Sequence, residues 1–248
     1  MMSMDDLSTP NLTRSDSEAT AQTSAPVETD VDTAPASANI SSHDLATQLV
    51  AKLCHDFISP AGAIMSGLDL LEDPSAQDMK QEALNLIAAS AKKMVTLVHF
   101  ARVAFGAATS SEAFSGSQLE KILGDMYSTM RAELDFAIDP QMLFDKPASR
   151  ALLNLGLLAG NSLPTGGKAK LEAVKSDDGM TITAESRGPR ARLKAEAIEG
   201  LTGLPLGDGL NGQWIQPHWL YSVVHEARGT LDYTTDVDSL SFKIFLPA

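Results

Sequence analysis

One amphipathic pattern, running from about Ser42 to Glu72, constrains this chain more than any other feature. With successive residues set at about 100° from Leu53, the side chains of Ala46, Val50, Phe57, Ala61, Ile64, Leu68 and Leu71 fall within roughly 80° of it. They form one continuous apolar stripe on a helix. His55 lands at about 200°, on the opposite side, among Asp44, Gln48, Ser59, Gly62, Ser66 and Asp69. A histidine so placed faces water or a partner rather than the core of a helix pair. Ser41, Ser42 and Asp44 offer cap and first-turn chemistry at the N-terminal end. Pro60 lacks a backbone donor and crowds the preceding turn, so the pattern predicts a bend in mid-helix, at a cost of about 3 kcal/mol.

The helix stops at Asp73-Pro74, and Ser75 with Asp78 three residues on reads as the cap of a second helix reaching about Gly106. There Leu84, Ile87, Ala91, Met94, Val98, Ala101 and Phe105 alternate spacings of three and four, as in a helix-pairing seam. So short a connection makes the two helices antiparallel neighbours. Leu45, Leu49, Ile58, Ala63, Met65 and Leu70 lie outside the stripe, and a single partner helix leaves them wet. Two coverings are open: a second copy, giving a homodimer built on a four-helix bundle, or the C-terminal half of the same chain.

Beyond a small-residue linker from Gly106 to about Gly116, helical and strand patterns alternate. The pattern predicts a helix from about Gln118 to Arg131, a strand Leu134 to Ile138, a helix Pro147 to Ser162 and a turn at Pro164-Thr165-Gly166-Gly167. Strands Ala169 to Lys175 and Met180 to Glu185 flank the hairpin signal Ser176-Asp177-Asp178-Gly179. A short helix near Leu193 to Glu199, a Gly-rich loop over 200–212, a helix Pro217 to Ala227 and strands Thr230 to Thr234 and Ser239 to Leu246 complete the chain. Mixed strands with helices on one face give a two-layer α/β sandwich. The expected division is an acidic tail over 1–40, a helical hairpin over 41–107 and an α/β domain over 108–248.

The tail holds Asp5, Asp6, Asp16, Glu18, Glu28, Asp30 and Asp32 against Arg14, with almost no large apolar side chains. Such a segment cannot bury enough surface to offset the entropy of ordering, and disorder is expected. The whole chain carries a net charge of −13. With no basic patch visible, direct binding to nucleic acid is not expected. A single cysteine, Cys54, excludes an internal disulfide framework and is expected to be half-buried. No membrane span and no signal peptide are visible, so a cytoplasmic protein is expected.

His55-Asp56-Phe57-Ile58-Ser59-Pro60 resembles the phosphoacceptor motif of sensor histidine kinases. The wider string from Lys52 to Pro74, with Ser66-Gly67-Leu68-Asp69-Leu70-Leu71-Glu72-Asp73-Pro74, is more narrowly similar to the dimeric histidine phosphotransferases of the alphaproteobacterial cell-cycle phosphorelay. The resemblance covers about Asp44 to Ala248. It implies a dimerisation and phosphotransfer hairpin followed by a domain shaped like a kinase ATP-binding domain. It also implies that His55 takes a phosphoryl group from the receiver domain of a hybrid histidine kinase and passes it to receiver domains of response regulators.

The chemistry stands independently of the resemblance. Neutral imidazole is a nucleophile near pH 7. Asp56 can orient the ring or take its proton, and Lys52, one turn earlier, can steady phosphate charge. Ser59, Gly62 and Ser66 descend the same face and let a partner helix come close, which makes them the expected receiver-binding strip.

The C-terminal half decides between kinase and carrier. Ala151-Leu152-Leu153-Asn154-Leu155-Gly156-Leu157-Leu158-Ala159 resembles the first helix of a kinase ATP-binding domain, with Leu158 where a magnesium-binding Asn is expected. Ala184-Glu185-Ser186-Arg187-Gly188-Pro189-Arg190 resembles the adenine loop, with Ser186 in place of its Asp and Arg190 in place of its second Gly. No Gly-x-Gly-x-Gly lid follows. The expectation is therefore a phosphocarrier that binds no cofactor and no metal, the magnesium lying on the partner receiver. An ATP-dependent kinase and a non-catalytic receiver scaffold are the rivals. His225-Glu226 lacks the second His of a zinc-protease helix. His43, His99 and His218 are expected in surface or packing roles, and Trp214 and Trp219 as anchors of the last helix.

Overall fold

The structure, a computed structural model, describes residues 40–106 and 113–248. The expected acidic tail, apart from Ile40, and the middle of the expected linker lie outside the described residues.

Helix α1 spans Ser42–Glu72, where the sequence places it. Ser41 is its N-cap, accepting a hydrogen bond from the Asp44 amide, and so satisfies one of the amides that a helix start leaves unpaired. The helix continues through Pro60, whose ring is buried. The cap of the next element is Asp73, not Ser75. The Asp73 carboxylate accepts from both the amide and the hydroxyl of Ser75, at 2.8 and 2.7 Å. A 3-10 turn over Pro74–Met79 follows, so α2 begins only at Lys80 and runs to Ala104.

The two long helices pack against each other, with Leu53, Phe57, Ala61, Ile64 and Leu71 of the expected stripe half-buried. The residues of α1 that become buried are Leu49, Pro60 and Gly67. At Gly67 an added Cβ would lie 2.6 Å from Ile87 Cγ1 and 3.2 Å from the Ala83 carbonyl oxygen. Close approach of the helices there needs a residue with no side chain, a demand that hydropathy does not record. Val50 and Leu68, both in the expected stripe, stay exposed. Cys54 is exposed as well, not half-buried: at about 100° from Leu53 it lies beyond the stripe.

The C-terminal part comprises β1 (Phe114–Ser115), α3 (Gly116–Tyr127), β2 (Ala132–Phe136), β3 (Leu143–Phe144), α4 (Lys146–Asn161), β4 (Gly167–Ser176), β5 (Gly179–Arg187), α5 (Ala195–Leu201), α6 (Asn211–Glu226), β6 (Thr230–Asp236) and β7 (Ser239–Pro247). Helix α3 opens on a capping box in which Ser115 and Gln118 exchange bonds. Helix α4 is capped by Asp145, which accepts from the Ala148 amide at 2.9 Å, and has Pro147 in its first turn. A five-stranded sheet runs in the order β2-β4-β5-β7-β6, with β2 parallel to β4 and every other pair antiparallel. Its period-two pattern puts Leu171, Ile182, Ala184, Phe242 and Ile244 under the helices, while Glu172, Asp232, Thr234, Ser241 and Lys243 face solvent. The architecture is thus the expected one, a helical hairpin followed by a two-layer α/β sandwich.

Two expectations fail here. Helix α6 begins six residues before Pro217 and carries that proline, buried, in its interior. The two-residue strands β1 and β3, which pair antiparallel, are absent from the expected pattern.

Candidate functional site

The histidine of the phosphoacceptor-like motif is open. The side chain of His55 is 88% exposed, on the face of α1 turned away from α2, as its helical position requires. Asp56 lies between it and Lys52. One carboxylate oxygen of Asp56 accepts from Lys52 Nζ at 2.7 Å, and the other faces His55 Nδ1 at 3.5 Å, the outer limit of a hydrogen bond. The Lys52 side chain is 17% exposed and that of Asp56 29%, so the pair is sheltered while the ring beside it is not. Lys52 is therefore held on Asp56 rather than beside the imidazole. Lys preceding an acid by four residues is the weaker order for helix stability, so the pair contributes more to fixing the carboxylate than to fixing the helix.

Ser59, Gly62 and Ser66 are all exposed along the same face. A Cβ placed on Gly62 would meet nothing within 4 Å, in contrast to Gly67 on the seam. The strip below the ring is open to an approaching body.

The α/β domain flanks the histidine on one side. Leu49 of α1 is buried against Trp214 and Ile215 of α6, with Ile40, Leu45 and Trp219 packed around them. Of the two coverings left open by the sequence, the C-terminal half takes the end of α1 nearest Leu45 and Leu49. Asn211 donates from its side-chain amide to Gln48 across the same junction. At the same open end of the hairpin, where α2 finishes, Asn154 and the Trp219 indole both donate to the Ala104 carbonyl, at 3.2 and 2.8 Å, and Arg150 donates to that of Gly106. The Arg150 guanidinium also lies over the Trp219 ring, 5.5 Å from its centroid. Trp219 and Trp214 do anchor the last helix, as expected, and Trp219 anchors it to the hairpin. The partnerships of Gln48, Asn154 and Arg150 were not foreseen. Gln48 and Asn211 are 163 residues apart, and local sequence carries no sign of such a pair.

Two hollows adjoin Lys52. A groove of about 480 Å³ runs between α1 and the start of α6, lined by Gln48, Lys52, His55, Asp56, Leu210 and Gln213 among others. A cleft of about 330 Å³ lies between α4, α5 and α6, with Leu158, Asn161, Arg192, Lys194 and Gln216 in its lining. The second is lined in part by Leu158, and the three positions that the sequence compares with a nucleotide site do not fit one. Leu158, standing at the metal-binding position, is buried and has no oxygen to offer. Ser186, standing for the adenine-binding Asp, is buried and donates its hydroxyl to the Ala159 carbonyl at 3.1 Å, within the protein. Arg190, standing for the second Gly, adopts φ 61° with its amide bonded to Asp238.

His218 is buried, stacked on Trp214 at 4.3 Å, and burial lowers its pKa below the usual histidine value. His43, His99 and His225 are exposed. Among the described residues no group of His, Cys, Asp and Glu is placed to hold a metal, and no helix is long and apolar enough to cross a membrane.

Residues 116–239 match the histidine phosphotransferase C-terminal domain family. The chain is 29% identical over 206 residues to the protein phosphotransferase ChpT of Brucella abortus (strain 2308), a match covering 82% of this chain and 96% of that protein. Among solved structures it resembles a bacterial phosphotransferase determined at 1.7 Å, with 25% identity and a TM-score of 0.74, over 83% of this chain and 97% of that one.

Proposed function

This chain belongs to the histidine phosphotransferase family, and on that premise we propose that His55 is its phosphoryl carrier. The observation that carries the reading is the pairing of an exposed imidazole, steadied by Asp56, with a neighbouring domain whose nucleotide positions are filled by Leu158 and an inward-bonded Ser186. A ring that lacks a local ATP site takes its phosphate from another protein.

The geometry supports the following transfer. In the tautomer that carries its proton on Nδ1, facing the Asp56 carboxylate, the lone pair on Nε2 of the exposed ring is free to react. Nε2 attacks the phosphorus of an aspartyl phosphate. The N–P bond forms as the P–O bond to the aspartate breaks, the aspartate leaves as a carboxylate, and the resulting imidazolium proton stays on Nδ1 against Asp56. The reverse sequence delivers the group to the next aspartate. Lys52 acts through Asp56 by fixing its orientation. Phosphoryl transfer depends mainly on positioning and on neutralising charge on the phosphoryl oxygens. Magnesium held by the receiver's own acids supplies that charge, and this chain needs none.

The partners are receiver domains: one on a hybrid histidine kinase as donor, others on response regulators as acceptors, in a cytoplasmic cell-cycle phosphorelay. The small-residue strip Ser59, Gly62 and Ser66 is where they land. The functional unit is a homodimer. Ile58, Met65 and Leu68 on α1 and Leu84, Leu86, Val95 and Val98 on α2 remain exposed in one chain, and a four-helix bundle of two hairpins covers them.

Incubation with a receiver phosphorylated on its aspartate is the test. Appearance of acid-labile, base-stable phosphate on this chain supports the carrier. Receiver binding without any label would support a scaffold, and self-labelling from ATP alone would support a kinase.

A further inference from the structure

The groove beside His55 has a second wall, and fold stability does not account for one residue of it. Leu210 is 65% exposed and stands at the N-cap of α6, where its side chain makes no capping bond. Leucine is among the poorest residues for that position, which favours Asn, Asp, Ser or Thr.

The loop that presents Leu210 is nevertheless pinned from several sides. Glu196 accepts from the Leu210 amide at 3.3 Å, and Glu199 accepts from the Gly207 amide at 3.2 Å. The Trp214 indole donates to the Leu204 carbonyl at 2.9 Å, and Asn211 is tied to Gln48 of α1. A large apolar side chain is thus held out to solvent on a supported loop, lining the same groove as Lys52, His55 and Asp56.

We propose that Leu210 is an apolar anchor for the docked receiver, received by an apolar side chain on the receiver face that carries its aspartate. This inference rests on the carrier reading above. The occupant follows from continuity: a folded domain that brings an aspartate to Nε2 of His55 must also lie over the groove of which His55 is one wall. The receiver is then read by two elements of this chain, the strip on α1 and the start of α6. Leu210 is a specificity-determining residue and takes no part in the chemistry.

The experiment compares full-length wild type with Leu210→Asp and Leu210→Ala, using a phosphorylated receiver as donor and, separately, phosphoramidate, a small donor that needs no docking surface. Val237→Asp, at an 86% exposed position remote in sequence from the groove residues, controls for added surface charge. The expected result is a fall of about tenfold to a hundredfold in kcat/KM from the receiver for Leu210→Asp, the size that loss of one buried leucine implies. A smaller fall is expected for Leu210→Ala, with Val237→Asp unchanged and phosphoramidate labelling of His55 equal in all four proteins. Unchanged receiver kinetics in Leu210→Asp beside an active wild type would overturn this inference alone. So would an equal loss with phosphoramidate, which would make Leu210 a support for the ring rather than a dock. A wild type that accepts nothing from any receiver would overturn the carrier reading and this inference with it.

Discussion

Lys52 Nζ lies 2.7 Å from Asp56 Oδ2, and this pair holds the carboxylate whose other oxygen faces the His55 ring. Asp56→Asn removes the charge that favours the imidazolium formed during transfer. The expected loss in the transfer rate constant is about 10²-fold, at the lower end for a group acting on a proton. Lys52→Met, which leaves the carboxylate in place but unfixed, should cost less. Because a part-exposed pair contributes only about 0–1 kcal/mol to stability, both variants should unfold with the wild type. Rapid-quench transfer kinetics beside a denaturant titration separates the two effects.

Two glycines of α1 should behave in opposite ways. Gly67→Ala places a Cβ 2.6 Å from Ile87 and against the backbone of α2. It should destabilise the hairpin by about 1–3 kcal/mol, the usual cost of overpacking a close contact. Gly62→Ala meets nothing within 4 Å and should gain up to about 1 kcal/mol from helix propensity. Gly62→Arg should leave stability unchanged and slow transfer from a receiver, since it fills the proposed landing strip. Urea titrations and transfer assays on the three proteins check all of this.

The proposed homodimer, which would cover the exposed apolar residues of the hairpin, is open to a direct check. Light scattering at micromolar concentration should return twice the chain mass of 26.3 kDa. Ile58→Glu combined with Met65→Glu, on the uncovered flank of α1, should return the single-chain mass with the α/β fold retained by circular dichroism.

Buried His218 sets an acid limit on stability. Its folded pKa lies below the ordinary value of 6.5, and its unfolded pKa returns to that value. Below about pH 6.5 the unfolded chain therefore binds more protons than the folded one. Stability is fully present above pH 6.5 and falls as pH drops toward the folded pKa. His218→Phe keeps a ring on Trp214 and removes the titration. Its Tm should depend less steeply on pH between 6.5 and 5 than that of the wild type.

Local chemistry made much of this fold legible. The bounds of α1 follow from the Ser41 cap and the Asp73-Pro74 stop, and the outward turn of His55 follows from helical spacing alone. The β4–β5 hairpin follows from Ser176-Asp177-Asp178-Gly179. Misread positions are those where tertiary contact overrides pattern. Pro217 looked like a helix start, but α6 is buried on most of its faces and carries the proline inside. The seam includes Gly67, which hydropathy does not mark, because close approach of the two helices decides that position. At the candidate site, the exposure of His55 and its nearness to Asp56 are legible in the sequence, while the loop that presents Leu210 is not. Its support comes from Gln48, Glu196 and Glu199, at separations from 8 to 163 residues.

The central claim is that phosphate made elsewhere enters this chain at His55. The most direct measurement labels wild type and His55→Ala side by side, once with a phosphorylated receiver and once with ATP and magnesium alone, and maps the modified residue by mass spectrometry under conditions that preserve phosphohistidine. The account predicts label on wild-type His55 from the receiver, none on His55→Ala, and none on either protein from ATP. Label persisting on His55→Ala, or appearing on the wild type from ATP alone, would contradict it.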